Sequence, residues 1–192
     1  MSPRSTKQFE EIRENSRAKI LDAAFELFAR QGFHATSINQ IAQQAGVAKG
    51  LIYNYFEKKE DLMHAIVLDG LQKSAEVMGT IQQAQPGKDR LRAMLEFTFR
   101  FLSEHAEYNR LMAALALQIQ AFPELADIVT GKYNAMVPML EEELTIAGHP
   151  YPERHAWMLA AILDGLGVQT AVLGNSLQLE RLKQELIEEY CT

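Results

Sequence analysis

Thr36-Ser-Ile-Asn-Gln-Ile-Ala-Gln-Gln-Ala-Gly-Val-Ala-Lys-Gly-Leu-Ile-Tyr-Asn-Tyr-Phe-Glu-Lys-Lys-Glu-Asp-Leu62 describes two short helices meeting at a sharp turn beside a basic, tyrosine-rich face. Thr36 or Ser37 can cap a helix whose apolar positions Ile38, Ile41, Ala42 and Ala45 recur at spacings of three and four, so one face looks inward. Gly46 ends it, because a glycine there can take the left-handed conformation that a tight helix-to-helix turn requires. Val47 is placed to plug the angle, and a second helix runs from about Ala48 to Tyr55. Ala42 is small where two crossing helices approach, while Val47, Ile52 and Tyr55 supply the apolar contacts. Lys49, Gly50, Leu51, Tyr53 and Asn54 are left outside. An amphipathic hairpin in any helical bundle shares the apolar spacing. Cap, small alanine, turn glycine, buried valine and basic outer face together favour a DNA reader.

Reach and chemistry suggest roles for these side chains. Lys49 and Lys59 can place ammonium groups on phosphates, and Tyr53 can bond a phosphate or lay its ring against sugar. Thr36 and Ser37 can offer hydroxyls at the start of their helix, and Gly50 lets backbone come close to DNA. Asn54 can read an adenine edge or bond a phosphate; with Leu51 it is the candidate for sequence choice.

Residues 17 to 65 resemble the amino-terminal DNA-binding domain of the TetR family of bacterial transcriptional regulators. The resemblance rests on Ile20, Ala23, Ala24, Phe25, Leu27 and Phe28 in a first helix, then Gly32-Phe33, Thr36, Ile41-Ala42, Ala45-Gly46-Val47, Lys49-Gly50, Tyr53, Tyr55-Phe56, Lys59-Glu60 and Leu62. It implies that Lys49, Gly50, Tyr53, Tyr55 and Lys59 line the DNA. Ala48 departs from the pattern, since many members carry a serine or threonine there. The missing hydrogen bond is worth only about 0.5 to 1.5 kcal/mol net, small beside several phosphate contacts.

Net charge is opposed to nucleic acid until its distribution is read: nineteen Lys and Arg stand against twenty-five Asp and Glu over 192 residues. Residues 1 to 62 hold nine basic and eight acidic side chains, net +1, and residues 63 to 192 hold ten and seventeen, net −7. DNA meets one face of one end, so the local pattern decides. The expected division is a helix-turn-helix domain over 1–62 and an effector-binding and dimerisation domain over 63–192. Cys191 is the only cysteine and forms no intrachain disulfide. No apolar run is expected to reach membrane-spanning length and no signal core follows the first residues, which predicts a cytoplasmic protein without a membrane partner.

Helical periodicity runs through the chain, so the expected fold class is all-α with about nine helices. The first covers about Ser16 to Arg30, with Phe9 and Ile12 as an upstream extension, and a fourth covers Lys58 to Gly79. Gln83 to Gly87 breaks the chain. Helices follow over about Asp89 to Glu104, Ala106 to Ala121 and Pro123 to Ala147, then Glu153 to Leu173 and Leu177 to Tyr190.

From Ala156 to Leu173 apolar groups surround the helix instead of forming one stripe, so it is buried on more than one side. One side can meet the subunit core and the other a second subunit; the resemblance implies dimerisation through the last two helices in a four-helix bundle. Trp157, Ala161, Asp164, Gly165, Val168, Leu179, Leu182 and Leu186 are the candidate interface residues. Met94, Phe97, Phe101, Met112, Leu115, Met136, Met139 and Trp157 supply adaptable or flat apolar surface for a small, largely apolar effector. Pro138 removes a backbone bond and frees the carbonyl near Asn134, which can open space beside a pocket. The expected function is a homodimeric repressor released from a palindromic operator by that effector.

An enzyme finds little support. His34, His64, His105, His149 and His155 are scattered without the i, i+4 spacing of a helical zinc site, and neither a phosphate-cradling glycine loop nor a nucleophile elbow is present. Glu141-Glu142-Glu143 reads as a solvated face. No catalytic residue, metal or cofactor is expected. A helical protein-interaction bundle without DNA binding is the competing class.

Overall fold

The computed structural model describes residues 6–116, 122–174 and 178–192. Among them the chain forms α1 (Thr6–Gln31), α2 (Ile38–Ala45), α3 (Lys49–Tyr53), α4 (Lys59–Ile81), α5 (Lys88–Glu104), α6 (Ala106–Ala116), α7 (Pro123–Ile146), α8 (Pro152–Leu173) and α9 (Leu179–Cys191), with no strand. The all-α expectation holds. Two compact units result, Met1–Leu71 and Gln72–Thr192, and the division falls inside α4.

In the first unit α1, α2, α3 and the start of α4 enclose Ile20, Ala24, Phe28, Ile41, Ile52, Leu62 and Met63, all essentially without solvent contact apart from neighbours at their rim. Each of the larger side chains among them contributes about 1.5–3 kcal/mol by leaving water. Helix α1 begins at Thr6, so the upstream extension through Phe9 and Ile12 is part of it. Ile12 is exposed on that extension, and the Phe9 side chain lies outside the described residues. Helix α3 is shorter than expected: after Tyr53 the chain continues as a turn in which Tyr55 N–H donates to Ile52 at 3.0 Å.

The second unit centres on α5, α7, α8 and α9, where Leu91, Leu95, Val137, Leu140, Leu144, Ala156, Leu159, Ile187 and Tyr190 form one buried cluster. A smaller cluster joins Phe99, Leu102 and Leu166, with Leu179, Leu182 and Leu186 packed against it. A polar knot fastens the α4–α5 turn to α7. Glu143 is 2% exposed; it accepts from the Gly87 amide at 2.6 Å and from Arg90 at 2.6 Å, and Arg90 also donates to the carbonyls of Gln82 and Ala84. Gly87 has φ +86°, and a Cβ there would come within 3.1 Å of Ile146. The reading of Glu143 as part of a solvated face is therefore corrected: it is a buried carboxylate held by a cation and an amide. The expected end of the sixth helix near Ala121 and the expected start of the last near Leu177 lie outside the described residues.

Candidate nucleic-acid interface

The turn between α2 and α3 is built from local chemistry. Ser37 caps α2: its Oγ accepts from Gln40 N–H at 3.3 Å while its own N–H donates to Gln40 Oε1 at 2.8 Å, a reciprocal capping box. Gly46 ends the helix at φ +66°, ψ +34°; its N–H reaches Gln43 and the Val47 N–H reaches Ala42 at 3.0 Å, the paired bonds of a Schellman ending. Ala48 opens α3 without a side-chain cap, and Ile52 is the fully buried residue that anchors it. Val47 is half-buried beside it.

On the outer side of α3, Lys49, Gly50, Tyr53 and Asn54 are exposed and Leu51 is half-buried. Lys49 Nζ stands 6.0 Å from the Tyr53 ring centroid, and a Cβ on Gly50 would meet nothing within 4 Å. Nothing inside the subunit therefore requires Gly50 to be glycine. A basic group, an aromatic hydroxyl, an amide and bare backbone thus share one exposed helix face. Ser37 is also exposed, although its hydroxyl is engaged with Gln40.

Three expected contacts look different. Thr36 is 2% exposed; its hydroxyl donates to the Gly32 carbonyl at 2.8 Å and accepts from Gln31 Nε2 at 3.1 Å. It is corrected from a phosphate ligand to a lock on the α1–α2 turn. Lys59, half-buried, donates to the Phe33 and Thr36 carbonyls at 2.7 and 2.8 Å, which occupies two of its three N–H donors with backbone. Tyr55 is half-buried, with its hydroxyl donating to the Arg13 carbonyl at 3.2 Å. Arg13 and Arg17 were missed by sequence reasoning; their guanidinium groups lie 5.8 Å from the Tyr55 and 5.6 Å from the Phe56 ring centroids. Pairing α1 with the end of α3 is a tertiary fact that helical spacing does not carry.

In the second unit the expected effector residues are dispersed. Met94 and Met136 pack against the larger cluster, and Phe97 and Phe101 hold rings 6.0 Å apart. Leu115 is buried, and Met112 and Met139 are half-buried. Trp157, 57% exposed, is corrected as an effector contact because it lies on the outer side of α8. Pro138 and Asn134 are both exposed, so water can satisfy the freed carbonyl. A hollow of about 570 Å³ lies elsewhere, lined by Leu102, Ser103, Ala106, Thr170, Gly174, Gln178, Leu179, Glu180 and Arg181. Tyr133 of α7 donates to Asp164 of α8; burial above all, with that bond and the Asp164 charge, pushes the phenol up to about 12. His149 stacks on Tyr190 at 5.3 Å and His155 meets the same ring edge-on at 5.8 Å, and the described residues contain no group of three or more side chains suited to a metal ion.

Helix α8 itself presents Trp157, Met158, Ile162, Val168, Val172 and Leu173 as exposed apolar side chains, with Ala161 also exposed and open space at Gly165. The expectation that no apolar run reaches membrane length is corrected: α8 is long and apolar enough, because one side packs on the subunit core and the opposite side is apolar too. Leu179, Leu182 and Leu186 are half-buried and pack against the subunit's own small cluster, and Asp164 is engaged with Tyr133.

The family model for bacterial regulatory proteins of the tetR family matches residues 20–66, and the model for the C-terminal part of BetI-type transcriptional repressors matches residues 87–192. The chain belongs to the TetR family of transcriptional regulators. Among curated relatives of this TetR-family chain, the fatty acid metabolism regulator protein of Bacillus subtilis is 35% identical over 129 residues, covering 65% of this chain and 66% of its own. The transcriptional activator FasR of Mycolicibacterium smegmatis is 32% identical over 103 residues, covering 52% and 46%. The chain thus spans under two thirds of the length of these relatives. The solved structure of FadR from Bacillus subtilis in complex with stearoyl-CoA superposes with a TM-score of 0.75 at 23% identity, over 89% of this chain and 95% of that one, which shows a shared fold.

Proposed function

We propose that this TetR-family protein is a homodimeric, ligand-responsive repressor that binds a palindromic operator through α3 and is released by a small, largely apolar effector. The observation that carries the reading is the exposed face of Lys49, Gly50, Tyr53 and Asn54 on a capped helix-turn-helix. Residues 1–62 serve as the DNA-binding domain and residues 63–192 as the effector and dimerisation domain. Phosphate contacts come from Lys49 and Tyr53, with Ser37 beside them; Asn54 and Leu51 select the bases.

A second copy of the chain covers the apolar side of α8. Trp157, Val168 and Val172 would otherwise keep a continuous hydrophobic strip in water. Two-fold pairing sets two copies of α3 to read successive major grooves, which is why the operator is a palindrome. The protein acts in the cytoplasm, where its DNA is, and performs no catalysis.

The stearoyl-CoA complex of the structurally similar FadR and the fatty acid regulator among the relatives support an acyl-chain effector. Half-buried Met94, Met112, Met136 and Met139 suit a flexible chain. The test is an operator duplex, recovered from a random pool, titrated with stearoyl-CoA while bound to the protein. Release by stearoyl-CoA but not by free coenzyme A supports the reading. Tight effector binding that leaves the complex intact overturns induction, because an effector shifts the equilibrium only through differential affinity.

A further inference from the structure

Ahead of residues 20–66, which carry the family pattern, α1 already runs from Thr6 to Lys19, about 21 Å of helix at 1.5 Å per residue. The Tyr55 hydroxyl, donating to the Arg13 carbonyl at 3.2 Å, ties this extension to the turn that ends α3. Arg13 and Arg17 are one helical turn apart and share a side of α1. Their guanidinium carbons stand 5.8 Å from the Tyr55 and 5.6 Å from the Phe56 ring centroid, and those two rings are 6.3 Å apart. Each arginine has a glutamate three residues before it, Glu10 or Glu14, at a spacing that permits an ion pair. Among the described residues neither guanidinium is ion-paired or bonded to an oxygen. Aromatic rings hold both cations where carboxylates could have done so, and a ring contact leaves the N–H fork without an oxygen acceptor. Both arginines are exposed, and with Glu10, Glu14, Tyr55 and Asn54 they line a hollow of about 450 Å³. Asn54 belongs to the outer side of α3 that carries Lys49 and Tyr53, so the α1 extension borders that side.

We propose that Arg13 and Arg17 form a further DNA contact, on α1, and take phosphates next to the bases that Asn54 meets. Each guanidinium can bind a phosphate through two parallel N–H···O bonds, and the rings beneath hold it ready to do so. The occupant is a duplex and not a free anion, because Glu10 and Glu14 leave the hollow without net charge. A small anion gains little there, whereas a duplex already held by α3 is brought to the arginines by that first contact. The two carboxylates then face the same duplex and weaken its binding. This rests on the DNA-binding reading above.

The experiment measures binding of a selected operator over a range of salt concentrations for the wild type and three double variants: Arg13→Met with Arg17→Met, Arg13→Lys with Arg17→Lys, and Glu10→Gln with Glu14→Gln. Neutralising a phosphate contact lowers the slope of log K against log salt by about one. The methionine pair is expected to lose about two units of slope. The lysine pair keeps both charges and is expected to keep the slope. The glutamine pair is expected to bind operator more tightly than the wild type at low salt, by roughly threefold or more, with the gain shrinking as salt screens the carboxylates it replaces. A methionine pair with the wild-type slope, whatever its affinity, overturns the proposal, because Arg13 and Arg17 then only steady Tyr55 and Phe56. Equal loss of slope in the methionine and lysine pairs also overturns it, since the cause would then lie in a displaced α3. So does a glutamine pair that binds like the wild type at low salt. Should the methionine pair not fold, the glutamine pair, which leaves both ring contacts in place, decides alone. A wild-type protein that binds no duplex overturns the DNA-binding reading itself, a result distinct from any difference among variants.

Discussion

Gly50 separates what folding needs from what binding needs. Open space surrounds its missing Cβ, so Gly50→Ala should leave packing intact and raise stability by about 0.4–1 kcal/mol through a less flexible unfolded chain. Operator affinity should nonetheless fall about tenfold, because the added methyl stands between backbone and DNA; thermal melts and equilibrium titration on one preparation check both halves. Tyr133 offers a test by pH. Its phenol is raised from 10.0 to about 12 in the folded protein, so its contribution is complete below pH 10 and is lost as the pH climbs through about 12. Tyr133→Phe should therefore flatten the decline in stability between those limits, measured by urea unfolding at successive pH values; an unaltered decline would place its cause elsewhere. At this scale the sequence was readable where partners are near neighbours. Ser37 finds its cap partner three residues on, whereas the partners of Lys59 lie 26 and 23 residues away; those of Thr36 are only four and five residues back but across the α1–α2 turn, where helical spacing does not apply. Solvent-facing chemistry was expected of both because charge and hydroxyl say nothing of direction.

Elements owe their boundaries to caps, and their arrangement to a few distant bonds. Gly46 and Ser37 announce α2 in the sequence, while α1 carries no such punctuation at Thr6, and only the apolar Phe9 and Ile12 mark its first turns. Glu143 shows the same limit more sharply: three successive glutamates look like a wetted surface until Arg90, 53 residues away, arrives beside the last of them. Removing the carboxylate leaves a largely buried guanidinium unpaired and the Gly87 amide without its acceptor. Glu143→Ala should accordingly destabilise the second unit by about 3 kcal/mol, within the range for a broken buried pair. Glu142→Ala, on the exposed face one residue before, should cost less than about 0.5 kcal/mol. Equal effects of the two in chemical denaturation would show that the knot carries no special weight.

At the scale of the whole molecule, the account turns on a second copy of the chain. The all-round apolar character of α8 was legible, and so was the need for two burial partners; Trp157, Ala161 and Val168, named for the outer side, are exposed. Leu179, Leu182 and Leu186 share the stripe that predicted an interface, yet they close the subunit's own small cluster, and the outer strip belongs to α8. Trp157→Glu is therefore expected to yield a folded monomer by sedimentation and to weaken palindrome binding by two orders of magnitude or more, since one half-site forfeits the linked second contact. A dimeric Trp157→Glu protein would move the interface away from this strip. Central to everything above is that the exposed face of α3 reads DNA. The most direct test is selection of bound duplexes from a random pool by the purified protein beside a variant carrying Lys49→Ala and Tyr53→Ala. The account predicts enrichment of a palindrome by the wild type and none by the variant; no enrichment by folded wild-type protein at low salt, or equal enrichment by both, would contradict it.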